Sequence, residues 1–356
     1  MLPAPFSTDH VWIVLATSLC CVAALALVPR WHIGFSGDRP GQTIQAAHAR
    51  TVPRIGGVGV YLAGLAGLLL LSPQLPTLTL DILWKLWACL SIVFFVGLLE
   101  DTTRRISASW RYIAALVAAG LFSWMHDSYG IASVGFDLLD PGFNSSGLRL
   151  AFFAFAVASV SHAFNLIDGQ NGVCSGVSIL VFSALAVTAV RTDQIALAQL
   201  ATIMAAANLG FFVFNFPLGK IFLGDGGAYF NGAMAAALTV LIVQGAGRAS
   251  PWLAILILIY PIWETLFSMA RRLRARQPFH LADKHHLHHL AAAALSGAAP
   301  NRQTQWIAAP LLLSVAPFVL SAPLLAEQPA RLQLLSLLFV TGYCLLYRHL
   351  ARRDAA

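Results

Sequence analysis

Five clusters of polar residues interrupt an otherwise apolar chain, and their side-chain types suit one kind of chemistry. They are the acidic pair Glu100-Asp101, the run Asn165-Leu166-Ile167-Asp168-Gly169-Gln170-Asn171-Gly172, Asn215, Lys220 with Gly224-Asp225-Gly226-Gly227, and the histidine-rich stretch His280 to His289. Carboxylates beside amide oxygens suit a hard cation such as Mg²⁺, which takes oxygen ligands and shares them with substrate phosphates. Arginine, lysine and histidine neutralise a diphosphate. Glycine-rich turns at helix starts present backbone N–H groups to anions. Together these groups describe metal-assisted phosphoryl transfer.

Each cluster also has a purely structural reading. Glu100-Asp101 could be a solvated pair at a helix end, Asp168 a turn former, and Asp225 a helix N-cap, a role compatible with metal binding. What favours function is their shared location. Polar groups at membrane depth are costly and tend to serve a site.

The elements that must position them are membrane helices. Of the 356 residues, 58% are hydrophobic and only 10% charged, against roughly 25% charged in a soluble domain. Mean hydropathy is +0.74. Spanning helices need roughly 17–25 mostly apolar residues. Spans are predicted near 11–29, 55–72, 83–100, 110–126, 150–167, 173–190, 195–214, 227–246, 252–270, 304–321 and 332–348. The predicted fold is therefore an all-α polytopic bundle of about 11 transmembrane helices, one domain over residues 1–356. The first apolar run has no basic residue before it and reads as a retained helix, not a cleavable signal.

Lysine and arginine set the orientation. Seventeen lie in one set of loops and five in the other. The positive-inside rule makes the richer set cytoplasmic, with the N-terminus outside and the C-terminus inside. All five polar clusters then fall on the cytoplasmic face of what would be a bacterial inner membrane. The net charge of +7 thus reports topology and points to no nucleic-acid partner. Cys20, Cys21, Cys89, Cys174 and Cys344 read as small buried hydrophobes. Trp84, Trp87, Trp110 and Trp252 read as interfacial anchors, and the outside loop around Ile131–Leu139 as a short hairpin.

These residues resemble the polyprenyl-phosphate N-acetylhexosamine-1-phosphate transferase family. The likeness runs from Asp38-Arg39-Pro40, through His48 and Pro53-Arg54-Ile55-Gly56-Gly57, to Glu100-Asp101. It continues through Asn165 to Gly172, Asn215 to Asp225, and Ala282 to His289, in the family's order. The resemblance implies that a lipid phosphate attacks the β-phosphate of a UDP-sugar, releasing UMP. It implies that Asp101, supported by Glu100 and Asp168, deprotonates or positions the lipid phosphate. Asp225 with Asp168 or Asn165 would hold Mg²⁺, with Mn²⁺ as an alternative ion. Asn171 and Asn215 would contact the nucleotide, and Lys220, His286, His288, His289 and Arg54 would grip phosphate or sugar groups. The partners it implies are a UDP-sugar, polyprenyl phosphate and the bilayer; a homodimer is left open. Two positions depart from the usual pattern. Glu100 stands where aspartate is common, which favours Asp101 as the base, and Asn171 stands where many bacterial members carry aspartate.

Rival readings leave different marks. A secondary transporter would bury charge at the midplane and show inverted repeats. A zinc protease would carry a zinc motif such as His-Glu-x-x-His on a helix. Neither pattern is present. The run Arg271-Arg272-Leu273-Arg274-Ala275-Arg276 reads as a topology anchor. Glu264, inside the ninth predicted span, is a candidate supporting acid.

Overall fold

The computed structural model describes residues 8–38, 51–126, 133–135, 138, 140–277, 285–296 and 306–354. The loop 39–50 with Arg39 and His48, most of the predicted outside hairpin, and His280 to Lys284 lie outside the described residues.

The chain is helical almost throughout, as the absence of water around apolar backbone demands. In order run α1 (Thr8–Leu27), α2 (Ile33–Ser36), α3 (Gly57–Leu71), α4 (Thr77–Thr103) and α5 (Ala108–Met125). Next come α6 (Ser146–Ile167), α7 (Val173–Arg191), α8 (Ile195–Asn215) and α9 (Gly224–Gly245). The chain ends with α10 (Trp252–Ile257), α11 (Ile259–Arg274), α12 (Leu287–Ser296), α13 (Ala308–Ser321) and α14 (Pro329–Asp354). Two short strands, β1 (Gly37–Asp38) and β2 (Val52–Pro53), pair antiparallel at the foot of α3. Among the described residues, nine helices are long and apolar enough to cross a membrane. The remaining two predicted spans correspond to α5 and to the α10–α11 pair.

The ninth predicted span is broken in two at Leu258. Pro261 explains the break, because its ring clashes with the carbonyl four residues back, that of Ile257, and it offers no N–H of its own. Trp87 is a second departure from expectation. It is 2% exposed, with its ring 5.3 Å from Tyr61 and 5.1 Å from Phe230. Gly64 makes the space: a Cβ there would stand 2.6 Å from the Trp87 ring.

At the centre stands α9, buried on all sides from Gly224 to Val243. A helix without a polar face belongs inside a bundle. In lipid, helices gain from close backbone approach through small residues, and α9 starts with glycines that allow it. A Cβ on Gly57 of α3 would sit 2.4 Å from Gly227 Cα, and one on Gly97 of α4 would sit 2.7 Å from Gly226 Cα. Farther along, Asn208 and Asn231 exchange amide hydrogen bonds of 3.1 and 2.7 Å, locking α8 to α9. Three elements are thereby pinned against the N-terminal half of α9.

This predicts a contrast in thermal unfolding of the detergent-solubilised protein. Gly97→Ala pushes backbone against backbone and should cost roughly 1–3 kcal/mol, the usual penalty of overpacking. Gly342→Ala, with nothing within 4 Å of the added methyl, should cost nothing. Equal unfolding temperatures for the two variants would contradict the close-approach account.

Candidate active site

The site forms where the ends of six helices meet. Its anchor is Asp101, in the last turn of α4 and 1% exposed. Gly97 lets α4 lie so close to α9 that the Asp101 carboxylate reaches the helix start. Oδ1 accepts the Asp225 N–H at 2.8 Å, and Oδ2 accepts the Gly226 N–H at 2.9 Å. The glycine-rich turn does bind an anion, as its composition implies, but that anion is the protein's own carboxylate.

Arg54 completes the anchor. Its Nε lies 3.2 Å from Asp101 Oδ1, and its Nη2 donates to Asp225 Oδ1 at 3.3 Å. The chain on either side of Arg54 is zipped to the approach to α9. Phe222 N–H donates to Pro53 O at 2.8 Å, Gly56 N–H to Phe222 O at 2.9 Å, and Gly57 N–H to Leu223 O at 2.8 Å. At Gly224 the backbone turns with φ +77°, and a Cβ would lie 2.1 Å from the Arg54 carbonyl oxygen. Only glycine fits there.

Asp225 is shared among three donors. Besides Arg54, it accepts from Asn165 Nδ2 at 3.0 Å and forms an ion pair with Arg111 of α5. Arg111 also lies over the Tyr229 ring, 5.3 Å from its centre. Tyr229 in turn hydrogen-bonds His162 at 3.1 Å. The sequence marks Arg111 only as one more cytoplasmic positive charge. Its place at the start of a helix, one residue after Trp110, was the available clue, and nothing in spacing says which acid it meets.

Asp168 caps α6. Its surface is partly accessible, yet protein atoms surround it, and its carboxylate makes no hydrogen bond or ion pair among the described residues. Burial, and secondarily the Asp101 charge, pushes its carboxyl well above the usual carboxylate range, with Arg54 opposing. Such a group is poised to gain from a cation beside it.

The other predicted residues divide. Glu100 accepts the Ile106 N–H at 2.6 Å and so fixes the turn leaving α4. Asn215 spends both ends of its amide on backbone, accepting from Gly172 N–H at 2.6 Å and donating to Ile221 O at 2.8 Å. It ties the Asn165–Gly172 motif to the segment before α9. Asn171 lies against Gly219 and donates to Pro217 O at 3.4 Å. Lys220 is exposed on the same connection. His289 and Gln170 meet at 3.2 Å, and a Cβ on Gly169 would stand 2.6 Å from His288 Nε2. The histidines therefore abut the loop that carries Asp168. The five cysteines are free; Cys89 and Cys174 are buried as expected, whereas Cys21 and Cys344 are only partly buried and Cys20, on the outer face of α1, is exposed.

The donor set has the chemistry Mg²⁺ prefers, namely carboxylate and amide oxygens. No three His, Cys, Asp or Glu side chains converge into a complete cage among the described residues. That fits an ion held by one or two carboxylates, with water and phosphate supplying the rest.

Comparison with known proteins finds one family match and several curated relatives. Residues 83–243, which include Asp101, Asp168 and Asp225, match the family described as glycosyl transferase family 4. A probable undecaprenyl-phosphate N-acetylglucosaminyl 1-phosphate transferase of Bacillus subtilis (strain 168) is 29% identical over 260 residues, 71% of this chain and 68% of its own. The undecaprenyl-phosphate alpha-N-acetylglucosaminyl 1-phosphate transferase of Yersinia pestis is 28% identical over 264 residues, with the same coverage of 71% and 68%. That of Escherichia coli (strain K12) is 27% identical over 350 residues, 95% of this chain and 90% of its own.

The raised Asp168 carboxyl has a signed consequence for stability. A carboxyl whose folded pKa is raised costs stability as pH climbs above its unfolded value, near 3.9. Asp168→Asn should therefore unfold at a higher temperature than the parent at pH 7 without divalent ions, and the gap should close as pH approaches 4. A variant less stable at pH 7, or a gap that does not respond to pH, would contradict the assignment.

Proposed function

We propose, from the premise that this chain belongs to glycosyl transferase family 4, that it moves an N-acetylhexosamine-1-phosphate from a UDP-sugar to polyprenyl phosphate. The acceptor on this reading is undecaprenyl phosphate, and the sugar is GlcNAc-like. An acceptor phosphate oxygen attacks the β-phosphorus of the donor. The bond from that phosphorus to the bridging oxygen breaks, UMP leaves with the electron pair, and a new diphosphate joins lipid and sugar. The product would start a cell-surface glycan such as an O-antigen. Lys and Arg placement supports a site on the cytoplasmic side of a bacterial inner membrane.

The observation that carries this reading is the charge balance around Asp225. Two aspartates, Asp101 and Asp225, face two arginines, Arg54 and Arg111, at a helix N-terminus. Without substrate the cluster is neutral. A diphosphate and a second phosphate bring several negative charges, so the arginines must turn to them and another cation must cover the aspartates. Asp225 and Asp168, with the Asn165 side-chain oxygen, would hold Mg²⁺. When bound, that ion neutralises phosphate charge and steadies the leaving group.

Asp101 holds the site together. Both its oxygens already accept hydrogen bonds, and it is buried. A phosphate monoester has its second pKa near 6, so the attacking oxygen is largely ionised at neutral pH. Arg54 and Arg111 supply charge where the reacting phosphates meet, the term that dominates such reactions. The histidines beside Gly169 would face the sugar or its phosphate.

The test is UMP release and lipid-product formation with purified protein, Mg²⁺, UDP-GlcNAc and undecaprenyl phosphate. Asp225→Ala should abolish turnover. Arg111→Ala should lower kcat by roughly 10²-fold, the typical loss of one charge-stabilising donor. Solute flux in sealed vesicles with no UMP formed from any UDP-N-acetylhexosamine would favour a transporter and sink the proposal.

A further inference from the structure

Glu264 of α11 is a carboxylate buried apart from the aspartate–arginine cluster, 1% exposed. Its Oε2 accepts a hydrogen bond from the Tyr343 hydroxyl of α14 at 2.8 Å. Its Oε1 accepts the Leu287 N–H at 3.2 Å and pairs with His286 Nδ1 at 3.0 Å. A carboxylate only accepts, so His286 carries a proton on Nδ1 in this pair. The His286 ring stacks on His288 at 5.5 Å and 5°. His288 Nδ1 lies 3.4 Å from the Tyr260 hydroxyl. Through His288 and His289 the row of imidazoles reaches Gly169, next to Asp168.

We propose that Tyr343 and Glu264 are positioning residues for sugar-phosphate transfer, acting through His286. Tyr343 orients the carboxylate, and the carboxylate fixes the tautomer and ring plane of His286. That ring sets the histidine row against the loop bearing Asp168. The inference rests on the transferase reading for its rate effect, but not for its structural content. It also gives the last helix, outside the residues that match the family, a part in the reaction. Composition marks Tyr343 as one apolar aromatic among several, with its ring 5.2 Å from Phe267 and 6.5 Å from Phe339.

Tyr343→Phe keeps that ring and deletes one hydroxyl, which makes it the discriminating variant. Losing a group that orients a functional histidine typically costs roughly 10–100-fold. The expected result is a kcat about tenfold lower with KM for the UDP-sugar close to the parent's, alongside a lower unfolding temperature because the buried carboxylate loses one donor. Nitrogen NMR of histidine-labelled protein supplies a readout that does not depend on activity. His286, assigned by the signal missing from His286→Asn, should show a single Nδ1-protonated form. Tyr343→Phe and Glu264→Gln should each convert it to a mixture. On a His286→Asn background, Tyr343→Phe should lower the residual rate no further. An unchanged His286 spectrum overturns the proposal, and so does a parent-like rate in Tyr343→Phe. If the parent enzyme forms no product, the transferase reading fails, and the spectrum alone still decides whether Tyr343 governs His286.

Discussion

A buried carboxylate seated on the first turn of a central helix organises this protein. Asp101 takes the two N–H groups that open α9 and an arginine from the segment before α3. A helix start carries unsatisfied N–H groups and partial positive charge, so an anion there is favourable. A buried carboxylate, in turn, is tolerated only when its partners are all in place, and removing one typically costs roughly 3–5 kcal/mol. That one contact joins α4, α9 and the approach to α3, and so decides where Asp225 and Arg54 stand.

Everything else at the site follows from that seat. The glycines at 57, 97, 226 and 227 allow three stretches of backbone to crowd around it. Asn215 ties the Asn165–Gly172 motif to the same region through backbone bonds. Arg111 arrives from α5 to balance Asp225. The histidines are brought in from the other side by Glu264, itself held by the last helix. Phosphoryl transfer needs charge placed and held more than it needs covalent chemistry. A rigid, electrically balanced cluster at helix ends meets that need.

Much of this could be read from the chain alone. Long apolar runs and the sparsity of charge specify a helical membrane bundle, because lipid leaves backbone no other solution. The clusters at Asp101, Asn165–Gly172, Asp225 and His286–His289 stand out because polar residues are rare in such a chain. Roles within the clusters were harder to see. Asn215 is a backbone clasp and Trp87 a core side chain, and both depend on a neighbour the sequence does not place beside them. The same holds for Arg111 and Tyr343, each placed by a contact across more than seventy residues. The break at Leu258 shows the opposite case: Pro261 is local, and its effect was there to be read.

The most direct check is a double-mutant cycle between Asp101→Asn and Arg54→Gln in reversible unfolding of the detergent-solubilised protein. If Asp101 and Arg54 form the joint on which the site is built, the two changes should couple by roughly 0.5–3 kcal/mol, the range for residues in direct contact. Strictly additive losses would mean that the two groups act independently, and that the seat at the start of α9 is not what holds this site together.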